Sequence, residues 1–78
     1  MNINERVKIV RKTRQFTQQA VATHLNLSVS SYNMKEKGKR PIFTEELVAI
    51  ADLFGINITL FFDKEFHETC IPEMKVVS

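Results

Sequence analysis

Seventy-eight residues, 44% hydrophobic and 26% charged, describe one small globular domain with a modest core, and no run approaches the roughly 18 apolar residues of a membrane span. The opening MNINERVKIVRK lacks the apolar run of a secretory leader, and the single Cys70 cannot close an internal disulfide, so a cytoplasmic setting is expected. The net charge of +2 hides a polarity: residues 1–40 hold nine Lys and Arg against two Glu, residues 41–78 two Lys against seven Asp and Glu, which lets one half face polyphosphate.

Asn4 can cap a first helix over residues 5–14, with Val7 and Val10 inward at i and i+3. Arg6, Lys8, Lys12 and Arg14 fall on its wet face. Arg11 lies at the margin of the apolar stripe, where a long side chain either buries its stem and finds a partner or stays solvated. Phe16 enters the core. Thr17 can cap a second helix, whose Val21, Ala22 and Leu25 make one apolar stripe. Asn26 stands at the turn, and Asn tolerates the left-handed conformation better than any residue except Gly. Leu27 returns to the core, Ser28 caps a third helix over about 29–37 with Tyr32 inward, and Gly38 stands just past its end. In that helix Val29, Ser30, Ser31, Asn33 and Met34 are small, polar or apolar rather than charged. Such a face suits base edges in a major groove, although each polar member taken singly also suits a solvated surface.

Pro41 pushes Arg40 towards extended backbone, so the third helix cannot run through it. Thr44, Glu45 and Glu46 favour the start of a fourth helix over 45–54, with Leu47, Ile50, Ala51 and Phe54 inward and Gly55 as its end. Residues 56–62, INITLFF, fit two readings. Capped by Asn57 they give a fifth short helix with Ile58, Phe61 and Phe62 at i, i+3 and i+4; as a strand, Ile56, Ile58, Leu60 and Phe62 alternate with their neighbours. Either way the run is too apolar to face water alone, and a dimer interface through Ile58, Leu60, Phe61 and Phe62 is the natural consequence. In the remainder, Phe62 and Phe66 are four apart, Ile71-Pro72 is a breaker, and Met74 to Val77 form a short extended segment. The chain therefore divides into a domain, 1–62, and a tail, 63–78, for dimerisation or for a partner.

Chemistry-bearing motifs are lacking. Gly38 and Gly55 are the sole glycines and cannot build a phosphate-cradling loop. His24 and His67 have no co-ligands at metal spacing, Cys70 has no activating neighbour, and no nucleophile stands beside a base. No metal, no cofactor and no enzymatic activity are expected.

Thr17-Gln18, Val21-Ala22, Leu25, Leu27-Ser28, Tyr32, Glu36, Gly38 and Arg40-Pro41 stand in one register. Together with Arg11 they resemble the helix-turn-helix of the phage repressor, Cro and xenobiotic-response-element class of bacterial regulators, over about Asn4 to Phe62. The resemblance implies an all-α, five-helix, lambda-repressor-like domain, and it favours a helix over 56–62. It further implies a sequence-specific transcriptional regulator, a repressor, that binds a pseudo-palindromic operator in double-stranded DNA as a homodimer. By the same resemblance Arg11 pairs with Glu36, while Thr17, Gln18, Lys37, Lys39, Arg40 and the Phe43 backbone hold phosphates. Val29, Ser30, Ser31, Asn33 and Met34 would read bases, Asn33 being suited to adenine and Val29 and Met34 to thymine methyls. Lys35 departs from the class, which commonly has an apolar residue there; its charge must snorkel outward, or the helix must sit slightly rotated. The alternative function is that of an antitoxin. Some antitoxins on this fold pair a strand after the fourth helix across a dimer and hold a toxin with the tail.

Overall fold

The computed structural model describes residues 2–64 and 66. Cys70, His67 and the Met74 to Val77 segment lie outside them. Four α-helices follow in order, α1 (Ile3–Thr13), α2 (Gln18–His24), α3 (Val29–Glu36) and α4 (Thr44–Phe54), and a 3-10 helix, Ile58–Phe62, closes the domain. No strand forms among the described residues. Residues 58–62 take the helical reading only in its tightest form, a five-residue 3-10 turn capped by the Asn57 carboxamide, which accepts from the Thr59 N–H. The strand on which the antitoxin alternative leaned is therefore not adopted.

Each helix begins and ends for a local reason. Thr17 and Ser28 cap α2 and α3, their hydroxyls accepting from Ala20 N and Ser31 N. α1 starts two residues earlier than expected: Asn2, not Asn4, is its cap and accepts from Glu5 N at 3.0 Å. That start lets Ile3 pack against the core, and it frees Asn4 for another task. α4 likewise begins at Thr44, with Phe43 in the cap position. The Glu46 carboxylate reaches back to accept from Phe43 N at 2.9 Å, in place of the cap expected from Thr44. All four helices close in the same way, with a left-handed residue followed by an N–H that reaches back five residues. The left-handed residues are Gln15, Asn26, Gly38 and Gly55, at φ of 62°, 57°, 81° and 70°. The returning bonds are Phe16 N to Arg11 O, Leu27 N to Ala22 O, Lys39 N to Met34 O and Ile56 N to Ala51 O. Gln15 is the one of the four whose side chain does not advertise the conformation.

The core joins Val7 and Val10 of α1, Val21 and Ala22 of α2, Tyr32 of α3, Leu47, Ile50, Ala51 and Phe54 of α4, and Phe61 and Phe66. Phe16 lies against Phe54 with ring centroids 5.2 Å apart. Phe61 is fully buried here, so it anchors the 3-10 helix to its own domain and cannot present itself to a second subunit. Arg6, assigned to the wet face, is instead half-buried. Its Nη1 donates to the carbonyls of Phe61 and Asp63, and its guanidinium stands 4.9 Å from the centre of the Phe66 ring. The domain's last turn is thereby tied to its first helix. Among the described residues no helix is long and apolar enough to cross a membrane.

Candidate nucleic-acid interface

α2 and α3 pack against one another, and α3 turns Tyr32, Lys35 and Glu36 inward. Its opposite stripe is therefore Ser30, Met34 and Lys37, spaced i, i+4, i+7. Ser30 and Lys37 are exposed and Met34 is half-exposed. Asn33 sits on one flank beside Gln18, whose Nε2 donates to Asn33 Oδ1 at 3.1 Å. Ser31 sits on the other flank, its Oγ accepting from Ser28 Oγ at 3.0 Å. Val29 packs against the core margin, which limits what it can offer a base.

One buried ion pair sets the angle at which α3 is held. Arg11 grips Glu36 with two bonds, Nε to Oε2 at 2.9 Å and Nη2 to Oε1 at 2.8 Å, and donates a third from Nη1 to Phe16 O at 2.8 Å. The side chains are 10% and 1% exposed. Burial alone would push the Glu36 carboxyl up. The Arg11 hydrogen bonds and charge, with Tyr32 and Gln18 alongside, outweigh it and hold the group below its usual value of 4.5. The hydrogen bond to Glu36 in turn raises Arg11. The Tyr32 hydroxyl is buried beside the pair, and desolvation, with Glu36 next, drives the phenol far above its ordinary value. Gln18 Nε2 completes the group, 3.4 Å from Glu36 Oε1. Gln18, assigned to phosphate, thus directs its amide at α3.

Lys35 neither snorkels outward nor rotates the helix away from the core. It is 6% exposed, and its Nζ donates to Glu46 Oε1 at 2.8 Å and to Pro41 O at 3.0 Å, with the Phe43 ring centre 4.4 Å away. Glu46, at the start of α4, supplies the counter-charge that the sequence pattern of α3 alone did not contain. The pair straps the 37–43 loop between α3 and α4. From the other side Asn4 Nδ2 donates to Lys35 O at 2.7 Å and lies against Gly38. Sequence reasoning missed both Glu46 and Asn4 as loop-holding residues. The one available signal was a lysine at an inward register with an acid eleven positions on.

The loop holds the exposed cations Lys37, Lys39 and Arg40 beside the end of α3, its backbone N–H groups at 39 and 40 both returning to Met34 O. Of the nine cations in residues 1–40, Arg11 and Lys35 are buried in ion pairs, Arg6 is turned towards the carbonyls of Phe61 and Asp63, and Arg14, expected on the wet face, is half-buried. Glu36, one of the two acids there, is neutralised by Arg11. The face that remains is basic. Thr17, also assigned to phosphate, has its hydroxyl engaged in the α2 cap, and the Phe43 N–H is engaged by Glu46. Of the apolar residues assigned to a dimer interface, Ile58 and Leu60 are half-buried and Phe62 is 57% exposed. Phe62 rims an open groove of about 310 Å³ whose wall includes Ile3, Ile42 and Leu47. Among the described residues no three His, Cys, Asp or Glu side chains are grouped to hold a metal.

The family comparison agrees with this geometry. A family model described as a helix-turn-helix domain matches residues 4–65. The HTH-type transcriptional regulator RamB of Mycobacterium tuberculosis, in strains CDC 1551 / Oshkosh and ATCC 25618 / H37Rv, is 33% identical over 76 residues. That alignment takes in 97% of this chain but 16% of RamB. No solved structure matches. The chain belongs to the helix-turn-helix domain family, in its Cro/C1-like DNA-binding form.

Proposed function

We propose that this chain regulates transcription by sequence-specific binding to double-stranded DNA, as a repressor and as a homodimer on a pseudo-palindromic operator. One observation carries the reading. The Ser30–Met34–Lys37 stripe faces away from the core with Ser30 and Lys37 exposed and Met34 half-exposed, bears no acid, and ends at the exposed cations Lys37, Lys39 and Arg40. Laid in a major groove, Ser30, Ser31, Asn33 and Met34 meet base edges while the three cations flank phosphates. The similarity to a transcriptional regulator supports the reading. So short a recognition surface discriminates weakly by itself; two copies reading half-sites about 34 Å apart repair that. Phe62, with the accessible edges of Ile58 and Leu60, supplies the apolar patch for the two-fold contact. The test is selection of bound sequences from a random DNA pool, followed by measurement of the complex's stoichiometry. Enrichment of a palindromic site bound by two chains is expected. Binding no tighter than to random DNA at moderate salt would refute the proposal.

A further inference from the structure

Lys35 is a charged residue at an inward register, and burying it against Glu46 carries a desolvation cost that an apolar side chain avoids. What an apolar side chain cannot do is hold backbone. The Lys35 ammonium has three protons to give. It donates to Pro41 O at 3.0 Å and to Glu46 Oε1 at 2.8 Å, and the Phe43 ring centre lies 4.4 Å away. The same Glu46 oxygen accepts from Phe43 N at 2.9 Å. These bonds fasten the far end of the 37–43 loop. At its near end Lys39 N and Arg40 N return to Met34 O at 2.9 and 3.3 Å, and Asn4 Nδ2 donates to Lys35 O at 2.7 Å. Lys39 and Arg40, both exposed, sit between the two fastenings. Lys37 differs from them: it is the C-cap of α3, and its N–H bonds to Asn33 O, so the helix itself holds it.

Resting on the DNA-binding reading above, we infer that Lys35, Glu46 and Asn4 are positioning residues for phosphate binding. They fix the loop backbone in the free protein, so that Lys39 and Arg40 meet a DNA strand without the chain having to be ordered at the moment of contact. They act through the loop rather than on the nucleic acid. The Lys35–Glu46 pair is neutral as a unit, so removing both charges leaves the attraction of the whole chain for a polyanion unchanged and alters only the geometry of the loop.

Affinity measured in two backgrounds tests this, on the operator enriched by the selection above and on random-sequence duplex. Lys35→Met/Glu46→Gln releases Pro41 O at constant net charge and keeps an acceptor for Phe43 N. In the wild-type background it should weaken both DNAs by about tenfold, the effect of having to re-order one or two backbone residues on binding. In a Lys39→Ala/Arg40→Ala background the strap has no cation left to place, and the same change should alter affinity by less than about twofold. Asn4→Ala, which frees the near end without disturbing a buried charge, should weaken binding about threefold in the first background and not in the second. It decides the matter if circular dichroism shows the pair variant unfolded. Affinity unchanged by the folded variants, or lowered equally in both backgrounds, overturns the inference while leaving DNA binding intact. A wild-type chain that enriches no operator overturns the DNA reading, and this inference with it.

Discussion

Replacing Arg11 by methionine should reverse the way stability responds to acid. The substitution keeps an apolar stem of similar length but leaves the Glu36 carboxylate, 1% exposed, without its cation, and Phe16 O without a donor. Breaking a buried pair from one side costs about 3–5 kcal/mol, against a total of roughly 4–12 kcal/mol for a domain of this size. At about 4–8 °C per kcal/mol, the melting temperature at pH 7 should fall by well over 10 °C. The pH dependence separates this cause from simple loss of packing. In the wild type the folded-state Glu36 lies below its unfolded value of 4.5, so its contribution is full above that value and is lost as pH falls through the depressed folded one. In Arg11→Met the strongest opposition to burial is gone; burial, the largest single influence, then outweighs what Tyr32 and Gln18 still supply, and Glu36 lies above its unfolded value. The variant's deficit should then shrink as pH falls from 7 towards 5, because protonation removes the buried charge. Arg11→Met/Glu36→Gln, having no charge to strand, should show no such recovery and should be the more stable of the two at pH 7. Urea denaturation followed by circular dichroism between pH 4.5 and 8 measures this. A loss below about 1 kcal/mol at pH 7, or a deficit that stays constant with pH, refutes the reasoning.

Three further outcomes follow from the same geometry. Lys35→Met should destabilise by leaving the Glu46 carboxylate without its cation and Pro41 O without its donor, whereas Lys35→Met/Glu46→Gln, which strands no charge and keeps an acceptor for Phe43 N, should recover part of that loss; thermal melts of the two variants check it. Phe61→Ala should cost about 3–5 kcal/mol, because the ring fills the monomer's own core, whereas Phe62→Ala should leave monomer stability within about 0.5 kcal/mol and weaken self-association; denaturation and analytical ultracentrifugation distinguish them. Lys39→Ala should weaken binding to operator and random DNA alike and lower the salt slope by about one for each chain bound, whereas Ser30→Ala and Met34→Ala should change which sequence wins. Equal effects of both groups on operator and random DNA in a binding titration would break the division between phosphate and base contacts.

The helix-turn-helix was legible in the chain because its signals are local. Thr17 and Ser28 bond to N–H groups three residues ahead, Asn26 and Gly38 tolerate φ of 57° and 81°, and the Val21–Ala22–Leu25 stripe needs only helical periodicity. The 56–62 run stayed ambiguous because an apolar segment of that length satisfies both periods. Packing of Phe61 into the core, and the hold of Arg6 on the carbonyls of Phe61 and Asp63, decide it as a 3-10 turn. Asn4 and Lys35 misled for a related reason, their partners being 31 and 11 residues away. An asparagine near a helix start looks like a cap until α3 offers it a carbonyl. A lysine on an inward face looks misplaced until α4 brings a carboxylate to it. Caps, stripes and turns are properties of neighbours in the chain, and sequence by itself determined them; the direction of the Gln18 amide and the burial of charge depend on groups that meet only when the helices pack, and only the tertiary structure could decide those.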